Sequence, residues 1–333
     1  MATMTQNPSQ PRSPVMTFLR NLNPYLYILP ALIVMTIITY YPMAYNIWMS
    51  FTNYGIKNLR VDAPPPDFVG LQNYINILTG ELGIPNFNFW YTLFFNLFWT
   101  FSNVIFHVAF GILIAVILNT RGLWFRGIYR AIFVLPIVIP TLVVGTVWRN
   151  MFDAQYGAIN QMINFVGGLF GMSPVAIRWI DQVDPPVPYW PFPLAYFALL
   201  ITNIWLGWPF MTIVASGALQ SINKEYYEAA SMDGASSVRQ FFSITLPLLR
   251  PAMVPAAMYG MIVTFNLFNL IYFITQGGPL RQTQILVTTA FDLVNAQRLY
   301  GVAAAFGVFV MIILILLTTA TNRISRATES YDV

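Results

Sequence analysis

The 333-residue chain contains no cysteine, which removes disulfide frameworks, thiolate metal sites, iron–sulfur ligation and thiol catalysis together. It has a single histidine, His107, so a histidine metal cluster or catalytic triad has at most one candidate residue. Charge is equally scarce: 8% of residues are Asp, Glu, Lys or Arg, against roughly 25% in soluble domains. The two lysines, Lys57 and Lys224, are followed by Asn58 and Glu225, so the chain has no G-x-x-x-x-G-K-[ST] nucleotide loop. The net charge of +4 is scattered through short loops, with no cluster to follow a phosphate backbone, and nucleic acid is excluded as a partner.

What is present is apolar. Hydrophobic residues make up 57% of the chain, and aromatics 16%. A water-facing domain of this size cannot bury so much apolar surface, and lipid is the remaining solvent. Six apolar runs long enough to span are expected at approximately 25–50, 91–118, 128–148, 192–217, 251–275 and 300–321. The first is too long for a secretory leader, continues through Tyr40-Tyr41-Pro42 to Phe51, and has no small-residue cleavage site after it, so it is expected to be retained.

Basic residues orient the spans. Arg12, Arg20, Arg121, Arg126, Arg130, Lys224, Arg239, Arg250, Arg323 and Arg326 fall on one side. Lys57, Arg60, Arg149, Arg178, Arg281 and Arg298 fall on the other, together with seven of the twelve acids. The first side is cytoplasmic, which puts both termini there. Aromatic belts are expected at the outer boundary, from Phe87 to Tyr91 and from Tyr189 to Phe192. The resulting division is an N-terminal tail (1–24), a first span (25–50), an outer loop (51–90), a core (91–321) carrying a cytoplasmic loop at 218–250, and a C-terminal tail (322–333).

Between these boundaries the one ionised side chain is Arg130, a turn inside the cytoplasmic end and able to snorkel. A proton or sodium gradient has no carboxylate to act through, and His107 reads as a neutral hydrogen-bonding group rather than a relay. Near mid-depth lie Asn203, Trp205, Trp208, Thr264, Asn266, Asn269 and Tyr272. These suit a neutral, hydroxyl-rich ligand, and equally serve as glue between helices. Pro136, Pro140 and Pro209 are candidate kink sites.

The most informative segment is the cytoplasmic loop. It begins with a short helix carrying acids in its first turn and ending at Gly234, after which Ser236 caps a second. Glu228, Ala229, Ala230, then Ser231-Met232-Asp233, Gly234, nine residues, and Ile244-x-Leu246-Pro247 reproduce without a gap the E-A-A…G…I-x-L-P pattern. This resembles the EAA signature of ABC-importer permease subunits. The resemblance extends over roughly 90–325. Asn203–Ser221 (N-I-W-L-G-W-P-F-M-T-I-V-A-S-G-A-L-Q-S) and T-Q-G-G-P at 275–279 are similar to the carbohydrate-uptake branch, especially the larger permease subunit of maltose transporters.

The resemblance implies an all-α membrane protein with six transmembrane helices in the type I, MetI-like permease fold, set in the bacterial inner membrane and performing no covalent chemistry itself. Expected partners are a second permease, a homo- or heterodimeric ATPase that carries the ATP and Mg, a solute-binding protein outside, a sugar, and membrane lipid. By direct match, Glu228, Ala229, Ala230, Asp233, Gly234, Ile244, Leu246 and Pro247 form the ATPase-coupling element. Ligand contacts fall on Leu206, Gly207, Phe210, Gly260, Val263, Thr264, Leu267 and Asn269. Gly207 and Thr264 lie about 15 and 20 Å from the inner ends of their spans at 1.5 Å per residue, near the middle of a core roughly 30 Å thick. Phe210 stands where the maltose subunit has tyrosine, and Thr264 and Leu267 where it has asparagines, so maltose itself is not implied. The chain also lacks that subunit's large periplasmic insertion and additional N-terminal spans. The alternatives are an importer for another solute, such as a glycerol phosphate or a polyamine, or a gradient-driven secondary transporter.

Overall fold

The computed structural model describes residues 14–120 and 122–325, with side chains from residue 25 to 323. Arg12, Arg121, Arg326 and parts of both tails lie outside the described residues. The described residues are helical apart from loops and one isolated antiparallel bridge, Thr52 to Phe68. Their helices are α1 (Tyr25–Met49), α2 (Gln72–Thr79), α3 (Phe89–Asn119), α4 (Arg126–Val138), α5 (Thr141–Met151), α6 (Ala158–Leu169), α7 (Ala195–Ser221), α8 (Glu225–Met232), α9 (Ser237–Phe265), α10 (Phe268–Thr275), α11 (Leu286–Asn295) and α12 (Tyr300–Ser325). Five of these are long and apolar enough to cross a membrane, and α4 with α5 makes a sixth, broken span. The chain is therefore an all-α, multi-pass membrane protein.

Two expected spans differ from the structure. The third is not one rod: α4 and α5 meet at 97° across Ile139-Pro140. A residue before proline is driven from the α region, and Ile139 is extended (φ −80°, ψ 126°). Pro136 lies inside α4, and Pro209 inside α7, without ending either helix. The fifth span begins much earlier than residue 251, because the loop segment from Ser237 runs directly into it, and it stops at Phe265 rather than 275. A π-turn at Phe241–Thr245 lies just before Pro247, as another at Thr36–Tyr40 lies before Pro42 in α1. The wider turn accommodates a ring that lacks an N–H and crowds the preceding turn.

The core forms where α3 and α7 approach most closely, a contact that two glycines make possible. A Cβ at Gly111 would strike Met211, and one at Gly207 would overlap the His107 imidazole. Phe95, Trp99, Phe192 and Tyr196 fill the outer half, with Phe95 and Phe192 edge to face at 5.2 Å. Phe89 and Phe192, expected at the lipid interface, are instead buried in the bundle, while Trp90 and Tyr189 are exposed. Apolar burial against partner helices outweighs placement at the interface.

Along α3, Asn96, Thr100, Asn103 and His107 form a buried polar stripe at helical spacing. Asn96 Nδ2 donates to the Phe265 carbonyl at 3.1 Å, and its Oδ1 accepts from the Leu286 N–H at 3.0 Å. Trp99 Nε1 donates to the Thr264 carbonyl at 3.1 Å. The ion pairs among the described residues, Lys57–Asp67 and Arg281–Asp292, lie in the outer loops. Asn96→Leu strands two buried backbone groups, so it is expected to lower stability by about 2–4 kcal/mol. Thermal unfolding of the detergent-solubilised protein reads this as a fall in Tm.

Candidate functional site

Two interrupted helices meet at the centre of the bundle. One interruption is Ile139-Pro140. The other is Asn266-Leu267, where Leu267 (φ −76°, ψ 66°) makes an inverse γ-turn and the Phe268 N–H bonds the Asn266 carbonyl at 2.7 Å. Backbone freed from helical bonding inside lipid must find partners or line a cavity. The Thr264 and Phe265 carbonyls find theirs on α3, in Trp99 and Asn96. The segments beyond the breaks, α5 and α10, pack together, so closely at Gly145 that a Cβ there would lie 2.9 Å from that of Phe273.

A cavity of about 280 Å³ opens between the breaks. Ile137, Ile139 and Thr141 line it from the first break, His107 from α3, Asn203 and Met211 from α7, and Tyr259 from α9. Of the residues matched to ligand contacts, Leu206, Gly207, Phe210, Gly260, Val263, Thr264 and Leu267 all line it as well. Asn269 does not. It sits beyond the γ-turn, where its amide donates to Thr141 Oγ1 at 3.3 Å and so acts on the wall at second hand. No charged side chain lines the cavity; its polar groups are hydroxyls, an amide and an imidazole, set among aliphatic and aromatic carbon.

Other polar and aromatic groups singled out at mid-depth serve packing. Trp205 lies 5.8 Å from Trp148, and Trp208 meets Phe133 edge to face at 5.2 Å. Asn266 bonds its own helix at the Ile262 carbonyl, and Tyr272 stacks on Phe268. Asn203, named among the mid-depth polar groups, does line the cavity, and the lining residues that the sequence does not single out as ligand contacts are Ile137, Ile139, Thr141, Met211, Tyr259 and His107. Pro140 was the available signal for the first three, since a proline break in a span exposes its neighbours.

At the end of the bundle that carries the EAA-like loop, α8 projects from the packed helices. Glu228, Ala229 and Asp233 are exposed, Ala230 is half-buried, and Met232 is 90% exposed. Gly234 adopts φ +78°, its N–H bonding the Ser231 carbonyl at 3.0 Å while the Ala235 N–H bonds that of Ala230 at 2.9 Å. This is the doubly bonded left-handed helix stop for which glycine is best suited. Ser236 caps the next helix through the Arg239 N–H. Tyr227 shares a hydrogen bond with Thr245 at 2.9 Å, and Gln240 donates to Ser231 at 2.9 Å, fastening α8 to α9. Ile244, Leu246 and Pro247 lie in the stem of α9, not on the exposed helix, so they shape its mount.

The family described as "Binding-protein-dependent transport system inner membrane component" matches residues 107–329. The chain is 32% identical over 302 residues to the trehalose/maltose transport system permease protein MalF of Thermococcus litoralis, covering 91% of this chain and 93% of that one. It is 31% identical over 306 residues to the galactooligosaccharides transport system permease protein GanP of Bacillus subtilis, covering 88% and 67%. Its fold is similar to a chain in the crystal structure of a bacterial alginate ABC transporter in complex with an alginate pentasaccharide-bound periplasmic protein, with TM-score 0.77, 20% identity and 97% of this chain covered.

Gly207→Ala drives a methyl group into the His107 ring, and rigid cores tolerate such overpacking at about 1–3 kcal/mol. The expected result is a lower Tm in detergent together with weakened ligand response; an unchanged Tm would show that the imidazole has room to move.

Proposed function

This chain belongs to the family of binding-protein-dependent transport system inner membrane components, and from that premise we propose that it is the permease subunit forming half of the path for a neutral sugar, di- or oligosaccharide, in an ATP-driven importer. The observation that carries the sugar reading is the charge-free cavity between the two helix breaks. Hydroxyl, amide and imidazole groups among Phe210, Tyr259 and aliphatic walls bond sugar hydroxyls and cover sugar C–H faces. A phosphorylated or cationic solute at this depth requires a compensating charge, and the wall supplies none. A gradient-driven transporter would have no carboxylate to work through there, and His107 is bonded to the Asn203 carbonyl in the manner of a structural group.

In this reading a second homologous permease completes the path, and a binding protein delivers the sugar from outside. ATP and Mg belong to a separate ATPase pair, in which α8 docks; no cofactor belongs to this chain. The coupling side chains are Glu228, Ala229, Ala230, Asp233 and Gly234, mounted on Ile244, Leu246 and Pro247. Both termini face the cytoplasm, as the Lys/Arg asymmetry directs.

The mechanism is mechanical. From Ser237 to Phe265, α9 is one helix of 29 residues, about 43 Å at 1.5 Å per residue. Its inner end is bonded to α8 through Tyr227–Thr245 and Gln240–Ser231, and its outer end carries Gly260, Val263 and Thr264 in the cavity wall. Closure of the ATPase pair displaces α8, and α9 carries that displacement to the cavity, exposing it to one side and then the other.

ATPase stimulation of the reconstituted complex, across mono-, di- and oligosaccharides, polyols and glycerol phosphates, tests the substrate class. Stimulation by one neutral sugar class is expected; stimulation by charged solutes alone overturns the sugar assignment. Glu228→Arg reverses the charge of the docking helix and is expected to reduce co-purification with the ATPase and to reduce transport. Gly234→Val forces a β-branched residue into the left-handed region, at about 1–2 kcal/mol or more, and is expected to uncouple hydrolysis from uptake.

A further inference from the structure

Nearer the end of the bundle that carries the EAA-like loop, a second cavity of about 280 Å³ opens between α4 and α7, and it shares no lining residue with the central one. Arg130 is the one charged side chain of its wall. The residue is exposed and takes part in no ion pair or hydrogen bond among the described residues. A guanidinium keeps its charge at every working pH, and a charge set one turn along a transmembrane helix calls for a counter-ion. One turn earlier on the same helix stands Arg126, whose Nη2 donates to Asn119 Oδ1 at 2.6 Å. The first turn of α4 has no side-chain cap, and nothing lies within 4 Å of where a Cβ on Gly127 would stand. The positive end of the helix dipole is therefore open to approach and adds to the two arginines.

From α7 the cavity is lined by Thr212, Ser216 and Gln220, spaced four apart and so in one row. The Thr212 hydroxyl donates to the Trp208 carbonyl at 3.2 Å, and Gln220 Nε2 donates to the Ser216 carbonyl at 3.0 Å. Thr212 Oγ1 and Gln220 Oε1 thereby keep acceptor capacity. The rest of the wall, with Leu118, Phe133 and Ile213, is apolar. A cation and a row of hydroxyl and amide acceptors beside hydrocarbon walls match a molecule with an anionic, hydroxylated head and an apolar tail. The level matches as well: Trp124 and Phe125, just before α4, are 80% and 66% exposed, as aromatic residues are where headgroups begin.

We propose that this groove holds one anionic phospholipid from the leaflet at that end of the bundle. Its phosphate pairs with Arg130, a headgroup hydroxyl donates to Gln220 or Thr212, and an acyl chain lies along Leu118, Phe133 and Ile213. Basic pockets between transmembrane helices recognise such headgroups, and a zwitterionic lipid would set its own ammonium beside the guanidinium. The site is independent of which solute the central cavity takes.

The test is native mass spectrometry of the purified transporter complex containing this chain, titrated in detergent with phosphatidylglycerol or with phosphatidylcholine of the same acyl chains. Wild type is compared with Arg130→Gln, which removes the charge, and with Gly217→Leu, which fills the groove where nothing lies within 4 Å of a Cβ. Assembly is checked by co-purification. Wild type is expected to bind one phosphatidylglycerol more tightly than phosphatidylcholine, and Arg130→Gln to weaken that binding about fivefold. Gly217→Leu is expected to weaken it with the charge still in place. Equal binding of the two lipids by wild type overturns the proposal, as does an Arg130→Gln complex that binds phosphatidylglycerol like wild type, the result expected if a partner permease's side chain meets Arg130 instead. Displacement of the lipid by millimolar inorganic phosphate overturns the choice of a lipid over a free anion. If Arg130→Gln does not assemble, Gly217→Leu decides by the same comparison.

Discussion

Inside a bilayer every backbone N–H and C=O needs a partner, and the architecture of this chain follows from how that demand is met at two places where helices stop short. At Leu267 the chain turns through a three-residue bend, leaving the Phe265 carbonyl without a helical partner and that of Thr264 with only the Leu267 N–H at 3.2 Å. Trp99 and Asn96 take them up from α3, and Asn96 also holds the first N–H of α11. Were those two side chains apolar, the Phe265 carbonyl would lose this partner and the break would become less stable by about 1–3 kcal/mol. The cavity exists because α3 spends polar residues on a neighbour's backbone.

That arrangement explains why α3, among the most apolar helices here, carries Asn96, Thr100, Asn103 and His107 on one buried stripe. The upper members satisfy backbone, their own or that of α9 and α11, and the lowest reaches the Asn203 carbonyl on α7. Close approach of α3 to α7 then requires glycine where the imidazole and Met211 press, at Gly207 and Gly111. Polar bonding and close packing are one device: the glycines bring the helices near enough for side chains to reach across.

Much of this was legible beforehand and some was not, for physical reasons. Apolar runs, the glycine stop at Gly234 and the Ser236 cap are local signals, set by hydropathy and by backbone preferences within a few residues, and the structure has the stop, the cap and a helix or bent helix pair at each of the six runs, two of them with other bounds or shape. The break at Pro140 had a local marker, though Pro136 and Pro209 carried the same marker and lie within continuous helix. The break at Leu267 had none, because neither proline nor glycine marks it, and the groups that permit it come from residues 165 and 169 positions away. Hydropathy summed along a window is blind to such a partner, which is why the fifth span was drawn to 275 instead of ending at Phe265. Asn269 was displaced from the cavity wall for the same reason: beyond the turn its face is reset, and it meets Thr141 instead.

The two ends of α9 set what the subunit can transmit. In the proposed mechanism α9 is the connecting element: it begins at a glycine-stopped helix bonded to it by Tyr227 and Gln240, contains a π-turn and the prolines Pro251 and Pro255, and ends at a γ-turn whose carbonyls are bonded by α3. A displacement of α8 then reaches the cavity through α9, at Gly260, Val263 and Thr264, while the Trp99–Thr264 and Asn96–Phe265 bonds tie the end of α9 to α3. A ligand contacting both α7 and α9 would sense such a movement through Leu206 and Phe210 on one helix and Gly260 and Val263 on the other, with no charged group in the wall taking part.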